Sequence, residues 1–267
     1  MRVSQLVAAV LGIGLVAGFA AADWLQFRGN DNRGVAPQQT VPIDWDGEKN
    51  VAWKAPLPGN SASSPIVVDG RVIVTNASGY HRDRLHVLCF DAATGKPLWQ
   101  RQFWATGRTM CHPSSSVAAP TPASDGEQIY AFFSSNDLVC LDLDGNLRWL
   151  RGLSYDFPTA GNDIGMASSP VVTNGTVVVQ VENQGDSFVA GIDTKTGETR
   201  WSLPRAREAN WASPAILRGE TPQEDLVLVQ NRKSITALDP TTGQAEWQYE
   251  TECKTIPSSL AAEGKVF

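Results

Sequence analysis

The chain has 267 residues, 42% of them hydrophobic, which is enough to bury a core in one large domain or two small ones. Its 22 Lys and Arg are outnumbered by 28 Asp and Glu, a net charge of −6. That balance excludes general attraction to nucleic acid or an anionic membrane, where counterion release drives binding.

The first predicted element is a targeting segment. Arg2 supplies the positive start, residues 6–20 form an apolar run, and Ala20-Ala21-Ala22 fits an A-x-A cleavage site. The run is short of the ~20 residues a bilayer needs, so residues 1–22 read as a signal peptide rather than a membrane anchor. No Cys follows the cleavage site to take a lipid. The mature chain is expected from about Asp23, in the periplasm or outside the cell.

A repeat of about fifty residues organises the rest of the chain. The pattern D-x-x-T-G-x-x-x-W occurs at Asp91, Thr94, Gly95 and Trp99, again at Asp193, Thr196, Gly197 and Trp201, and again at Asp239, Thr242, Gly243 and Trp247. A copy one residue shorter runs from Asp142 through Gly145 to Trp149, and a degenerate one from Asp44 and Gly47 to Trp53. Asp and Thr can bond local amides in a turn, and Gly takes the positive φ that closes it. An apolar strand enters each full motif, and a strand ending in Trp leaves it. Upstream of each lies a second landmark: Ser63-Ser64-Pro65, Pro120-Thr121-Pro122, Ser168-Ser169-Pro170, Ala212-Ser213-Pro214 and Pro257-Ser258-Ser259. Short strands and turns such as Asp69-Gly70 and Asn174-Gly175 come after it. Each unit therefore holds four short antiparallel strands. Units of this length with a recurrent Trp predict an all-β propeller. A β-sandwich would not need one turn and one Trp at a fixed period.

These repeats resemble the pyrroloquinoline quinone (PQQ)-like, quinoprotein-alcohol-dehydrogenase-like β-propellers. In that family an A-x-D-x-x-T-G-x-x-x-W motif closes each blade, and residues 237–247 match it throughout. Trp24, Phe27, Arg28 and Gly29 also resemble the segment before the first blade in bacterial secreted members. The resemblance implies that Trp53, Trp99, Trp149, Trp201 and Trp247 pack between blades. Residues 23–53 are expected to be an N-terminal segment ending in the outer strand of a closing blade. Residues 54–267 would hold four whole blades and open a fifth, an incomplete ring whose remaining strands lie beyond Phe267.

No catalytic, cofactor or metal residue is assigned. The family's dehydrogenases stack PQQ beside Ca²⁺ and use a disulfide between adjacent Cys residues. Cys89, Cys111, Cys140 and Cys253 include no adjacent pair, and Cys89 and Cys140 read as core-filling thiols. His81 and His86 flank Arg82-Asp83-Arg84, read as a solvated turn without a third metal ligand. Cys111 and His112 are neighbours in an extended loop and point apart. The binding surface is expected on the long loops 103–119, 154–167 and 205–211. Its candidates are Arg108, His112, Asn162 and Trp211, the last also readable as blade packing. The resemblance implies a non-enzymatic, exported scaffold with a protein partner in the cell envelope, like the family's outer-membrane assembly lipoprotein but without the lipid. The alternatives are a PQQ- and Ca²⁺-dependent dehydrogenase or a carbohydrate-binding propeller.

Overall fold

The computed structural model describes residues 23–36, 41–161 and 163–267. The signal segment and Asn162 lie outside the described residues. Four sheets of four antiparallel strands succeed one another in strict meander order. Blade 1 is β1 (Ile66–Val68), β2 (Arg71–Ser78), β3 (Arg84–Asp91) and β4 (Pro97–Trp104). Blade 2 is β5 (Ala123–Ser124), β6 (Gln128–Phe132), β7 (Asp137–Asp142) and β8 (Leu147–Gly152). Blade 3 is β9 (Val171–Thr173), β10 (Thr176–Val181), β11 (Phe188–Asp193) and β12 (Thr199–Pro204). Blade 4 is β13 (Ala215–Leu217), β14 (Leu226–Gln230), β15 (Ser234–Leu238) and β16 (Ala245–Glu250). A hairpin, β17 (Ala261–Ala262) and β18 (Lys265–Val266), comes last. The first strands neighbour one another in sequence, β1 with β5, β5 with β9, β9 with β13 and β13 with β17, so the sheets stand radially around a common centre.

The core lies between blades, and strand periodicity explains it. In β10, Val177, Val179 and Val181 pack toward blade 2, while Val178 packs toward blade 4. Both faces of the inner strands are covered, so these strands read as unbroken apolar runs rather than alternating ones. Cys89 and Cys140 are fully buried in successive interfaces, where burial pushes both thiols up to about 12. Cys89 acts there as a small apolar group, while the Cys140 thiol also donates to Gln128 Oε1 at 2.8 Å.

Each motif forms the turn between the third and fourth strands. The Asp193 carboxylate accepts from the Thr196 and Lys195 amides and from the Arg200 side chain. Asp91 and Asp239 hold Thr94 and Thr241 in the same manner. A register shift falls at one position in all four blades, at Cys89/Phe90, Cys140/Leu141, Gly191/Ile192 and Ala237/Leu238. This repeated β-bulge stands beside the motif Trp.

That Trp then reaches the next blade. The Trp149 ring lies against the Gly197 turn, and its indole N–H donates to Thr194 O at 2.9 Å. A Cβ at Gly197, whose φ is +73°, would stand 2.7 Å from Trp149 Cδ2. Glycine is therefore needed twice there, for the turn and for the ring above it. Trp53, Trp99 and Trp201 repeat the arrangement on Ala92, Leu143 and Pro240, each at 2.9 Å.

Trp53 makes this contact from a segment that pairs with no strand among the described residues. His86, read only as flanking the solvated turn, lies inside the blade. It is buried on β3, paired across from Asn76, with Ser78 Oγ 2.7 Å from Nε2 and Gln100 Nε2 3.1 Å from Nδ1. Desolvation, helped by the Arg84 charge, holds its pKa below the usual value.

Candidate functional site

The centre of the ring is built from the second landmark. Ser64 N–H donates to Thr121 Oγ1 at 3.0 Å, and Thr121 N–H to Ser169 Oγ at 3.0 Å. Ser169 N–H donates to Ser213 Oγ, and Ser213 N–H to Ser258 Oγ, both at 2.9 Å. One hydroxyl in each blade therefore satisfies one amide of the blade before it. These amides lie just ahead of the innermost strands, where no ladder partner exists, and an unpaired buried N–H is costly. The sequence displayed the repeated Ser/Thr-Pro, but not that it forms a belt across blades.

Residues 23–34 lie along the same inner edges. Trp24 and Val67 exchange backbone hydrogen bonds of 2.8 and 2.9 Å. Leu25 O accepts from Ser124 N–H, Asn32 Oδ1 from Ile216 N–H, and Asn30 O from Arg218. The segment thus bridges blades 1, 2 and 4 across the central opening, with Gln26 and Asn32 buried and bonded to each other.

The long loops gather at the opposite end of the inner strands from the motif turns. Three of the four predicted binding residues meet there on one strap, residues 161–166. Arg108 pairs with Asp163 at 2.8 Å, both exposed. His112 N–H donates to Ile164 O at 3.1 Å, while its Nδ1 stands 2.7 Å from Ser114 Oγ. The Trp211 indole N–H donates to Gly165 O at 2.8 Å. Asn162 belongs to the same strap by sequence. Gly165 has φ +82°, and a Cβ there would meet Cys111 Cβ at 2.8 Å. Cys111 is turned to Arg82 and His112 to Ser114, so the two form no nucleophilic pair.

Buried acids anchor the loops from below. Asp137 is fully buried and accepts from Thr106 N–H, Thr106 Oγ1 and Ser135 Oγ. Desolvation pushes its carboxyl above the ordinary range, against those hydrogen bonds. Glu182, also buried, binds Arg205 at 2.5 Å and Asn210 Nδ2 at 2.8 Å. Neither acid was singled out in the sequence. Each needs its partner from another loop, tens of residues away, and no local pattern marks that pairing. Above this frame the loop end exposes Tyr80 (95%), Tyr155 (79%) and Ile256 (73%), together with Met110 and Ile164.

PQQ with Ca²⁺ would require a flat platform in the centre and a set of oxygen ligands. The described residues do not fit that group. The motif Trp rings lie against the outer turns, while the inner edges hold the hydroxyl belt and residues 23–34. Among the described residues no three His, Cys, Asp or Glu side chains gather where they could hold a metal ion.

Radial four-stranded sheets, bulged at one register and capped by Trp on the next turn, define a PQQ-like β-propeller. A family model described as the outer membrane protein assembly factor BamB matches residues 35–164 and again residues 159–263, and the chain belongs to this family. It is 27% identical over 203 residues to the BamB of Burkholderia pseudomallei (strain K96243), covering 73% of this chain and 46% of that protein. With the BamB of Moranella endobia (strain PCIT) it shares 26% over 155 residues, 58% of this chain and 35% of that one. The chain thus spans less than half the length of these relatives. Two quinohemoprotein alcohol dehydrogenases share the fold. The structure from Pseudomonas putida HK5 matches with a TM-score of 0.62 at 17% identity, over 91% of this chain and 44% of that one. The one from Comamonas testosteroni gives 0.58 at 18%, over 78% and 39%. Among the described residues no helix is long and apolar enough to cross a membrane.

Proposed function

We propose that this protein is a non-enzymatic, exported propeller that docks a protein partner in the cell envelope and takes part in outer-membrane protein assembly. Membership of the family described as outer membrane protein assembly factor BamB carries this reading. The loop end supports it as the docking face. Tyr80, Tyr155 and Ile256 project from it, and apolar groups rimmed by charge are what a protein partner buries. Arg108, His112 and Trp211 act in holding the strap of residues 163–165 beneath that face. The signal segment directs the chain to the periplasm.

The test is genetic and biochemical. Deleting the gene should lower the amount of folded outer-membrane β-barrel protein, measured by heat-modifiable mobility. The wild-type gene should restore it, while a Tyr155→Asp/Ile256→Asp variant that folds and is exported normally should not. Dye reduction by the purified protein with PQQ, Ca²⁺ and an alcohol or sugar would overturn the proposal, and so would full rescue by the double variant.

A further inference from the structure

Blade 1 is taller than the other three. In blades 2, 3 and 4 the third strand starts at Asp137, Phe188 and Ser234, each three residues before the bulge, which is the position of His86. Blade 1 adds two rungs above that level, Leu85↔Phe103 and Arg84↔Trp104, and β2 lengthens with them to Ser78. Leu85 is buried, but the Arg84↔Trp104 rung is exposed and stands above the level at which the other blades end.

The hairpin tip above this rung is tied down. Arg82 N–H donates to Gly79 O at 3.1 Å, its Nη1 donates to Cys111 Sγ at 2.7 Å, and Asp83 O accepts from Ala105 N–H at 2.9 Å. On that frame Tyr80 is almost fully exposed, with its ring edge-on to His81. Trp104 is 60% exposed, and the Arg84 guanidinium lies over its ring at 5.5 Å. Arg84 has no carboxylate partner among the described residues, whereas Arg108, Arg205, Arg207 and Arg232 of the loop end each pair with one. Tyr, Trp and Arg held in advance carry most of the energy at protein interfaces, because they bury area at small entropic cost. A guanidinium without a partner is matched by a carboxylate.

We infer that the tip and top rung of blade 1 anchor the loop-end docking face, and that the partner is a folded protein whose cleft takes Tyr80 and Trp104 and sets a carboxylate against Arg84. This rests on the reading of the loop end as a protein-docking face, and adds to it the anchor and the partner's chemistry. The hairpin is convex, so a cleft covers both of its flanks, while a flat membrane or glycan surface would touch only the tip.

The experiment expresses the complete gene in its own cells with a benzophenone-bearing amino acid in place of Tyr80, or of Leu147 at the motif-turn end as the control. Irradiation should give a protein adduct from position 80 and none from position 147. Arg84→Glu should lower the yield of that adduct about tenfold, and Arg84→Lys by less than about twofold. A Tyr80→Ser/Trp104→Ser variant that is exported and melts as the wild type does should fail to restore folded β-barrel protein in the deletion strain. Equal adduct yields from Arg84→Glu and wild type, an adduct with lipid or glycan in place of protein, or full rescue by Tyr80→Ser/Trp104→Ser would each overturn the inference. Full rescue by this variant beside failure of Tyr155→Asp/Ile256→Asp removes the anchor and leaves the docking reading standing, whereas full rescue by both removes the docking reading as well.

Discussion

Replacing Trp149 and Trp247 by Ala compares one residue type at one motif position in two surroundings. Trp149 is 9% exposed, and Trp247 is 36% exposed. On a side chain of roughly 250 Å² that difference is about 70 Å², or about 2 kcal/mol of apolar burial. Trp149 also donates to Thr194 O, which truncation leaves unpaired in a buried interface at about 1 kcal/mol. Its removal further opens a closed cavity beneath Gly197 and beside Tyr130, whereas the Trp247 site is already open. Trp149→Ala should therefore cost about 4–5 kcal/mol, and Trp247→Ala about 1–2 kcal/mol. In a unit of this size the larger loss lowers Tm by about 8–20 °C. Urea denaturation monitored by circular dichroism, with thermal scans in parallel, measures both. Equal losses in the two variants, or a loss below about 1 kcal/mol for Trp149→Ala, would refute the reasoning that Trp acts by covering the next turn.

Three further outcomes are expected. Ser169→Ala removes the acceptor for Thr121 N–H and should cost about 1–3 kcal/mol in the same denaturation assay, while Ser169→Thr retains most of that stability. Asn32→Ala unpairs Ile216 N–H, so hydrogen exchange measured by mass spectrometry should quicken in the β13 peptide and stay unchanged in β7. The Asp193 carboxyl, held at about 2 first by Arg200 and then by turn amides, adds stability that is fully present above its unfolded value near 3.8. That contribution is lost as pH falls through about 2, so Asp193→Asn should flatten the acid limb of a stability-against-pH curve between about pH 4 and pH 2.

Much of the fold was legible in one dimension because the motif is local. Asp193, Thr196 and Gly197 close their turn with partners two to four residues away, and the Trp period counts the blades. The buried polar groups were not legible. His86 was legible only as the flank of a charged turn, yet pairing with Asn76 draws it inside. The loop candidates were legible only as unusual residues on long loops. That Arg108, His112 and Trp211 all hold one strap depends on loops from different blades arriving at one place.

The sequence by itself determined the turns, the strand order, the number of complete blades and the glycine demanded at each turn, since each arises from contacts within about ten residues or from a simple period. Only the tertiary structure decided what bridges the blades: the indole-to-carbonyl contacts, the hydroxyl belt, residues 23–34 across the central opening, and the open cavity beside Trp247. The indole and hydroxyl bonds join residues 39 or more positions apart, and their partners are chosen by the radial stacking of sheets that no local pattern encodes.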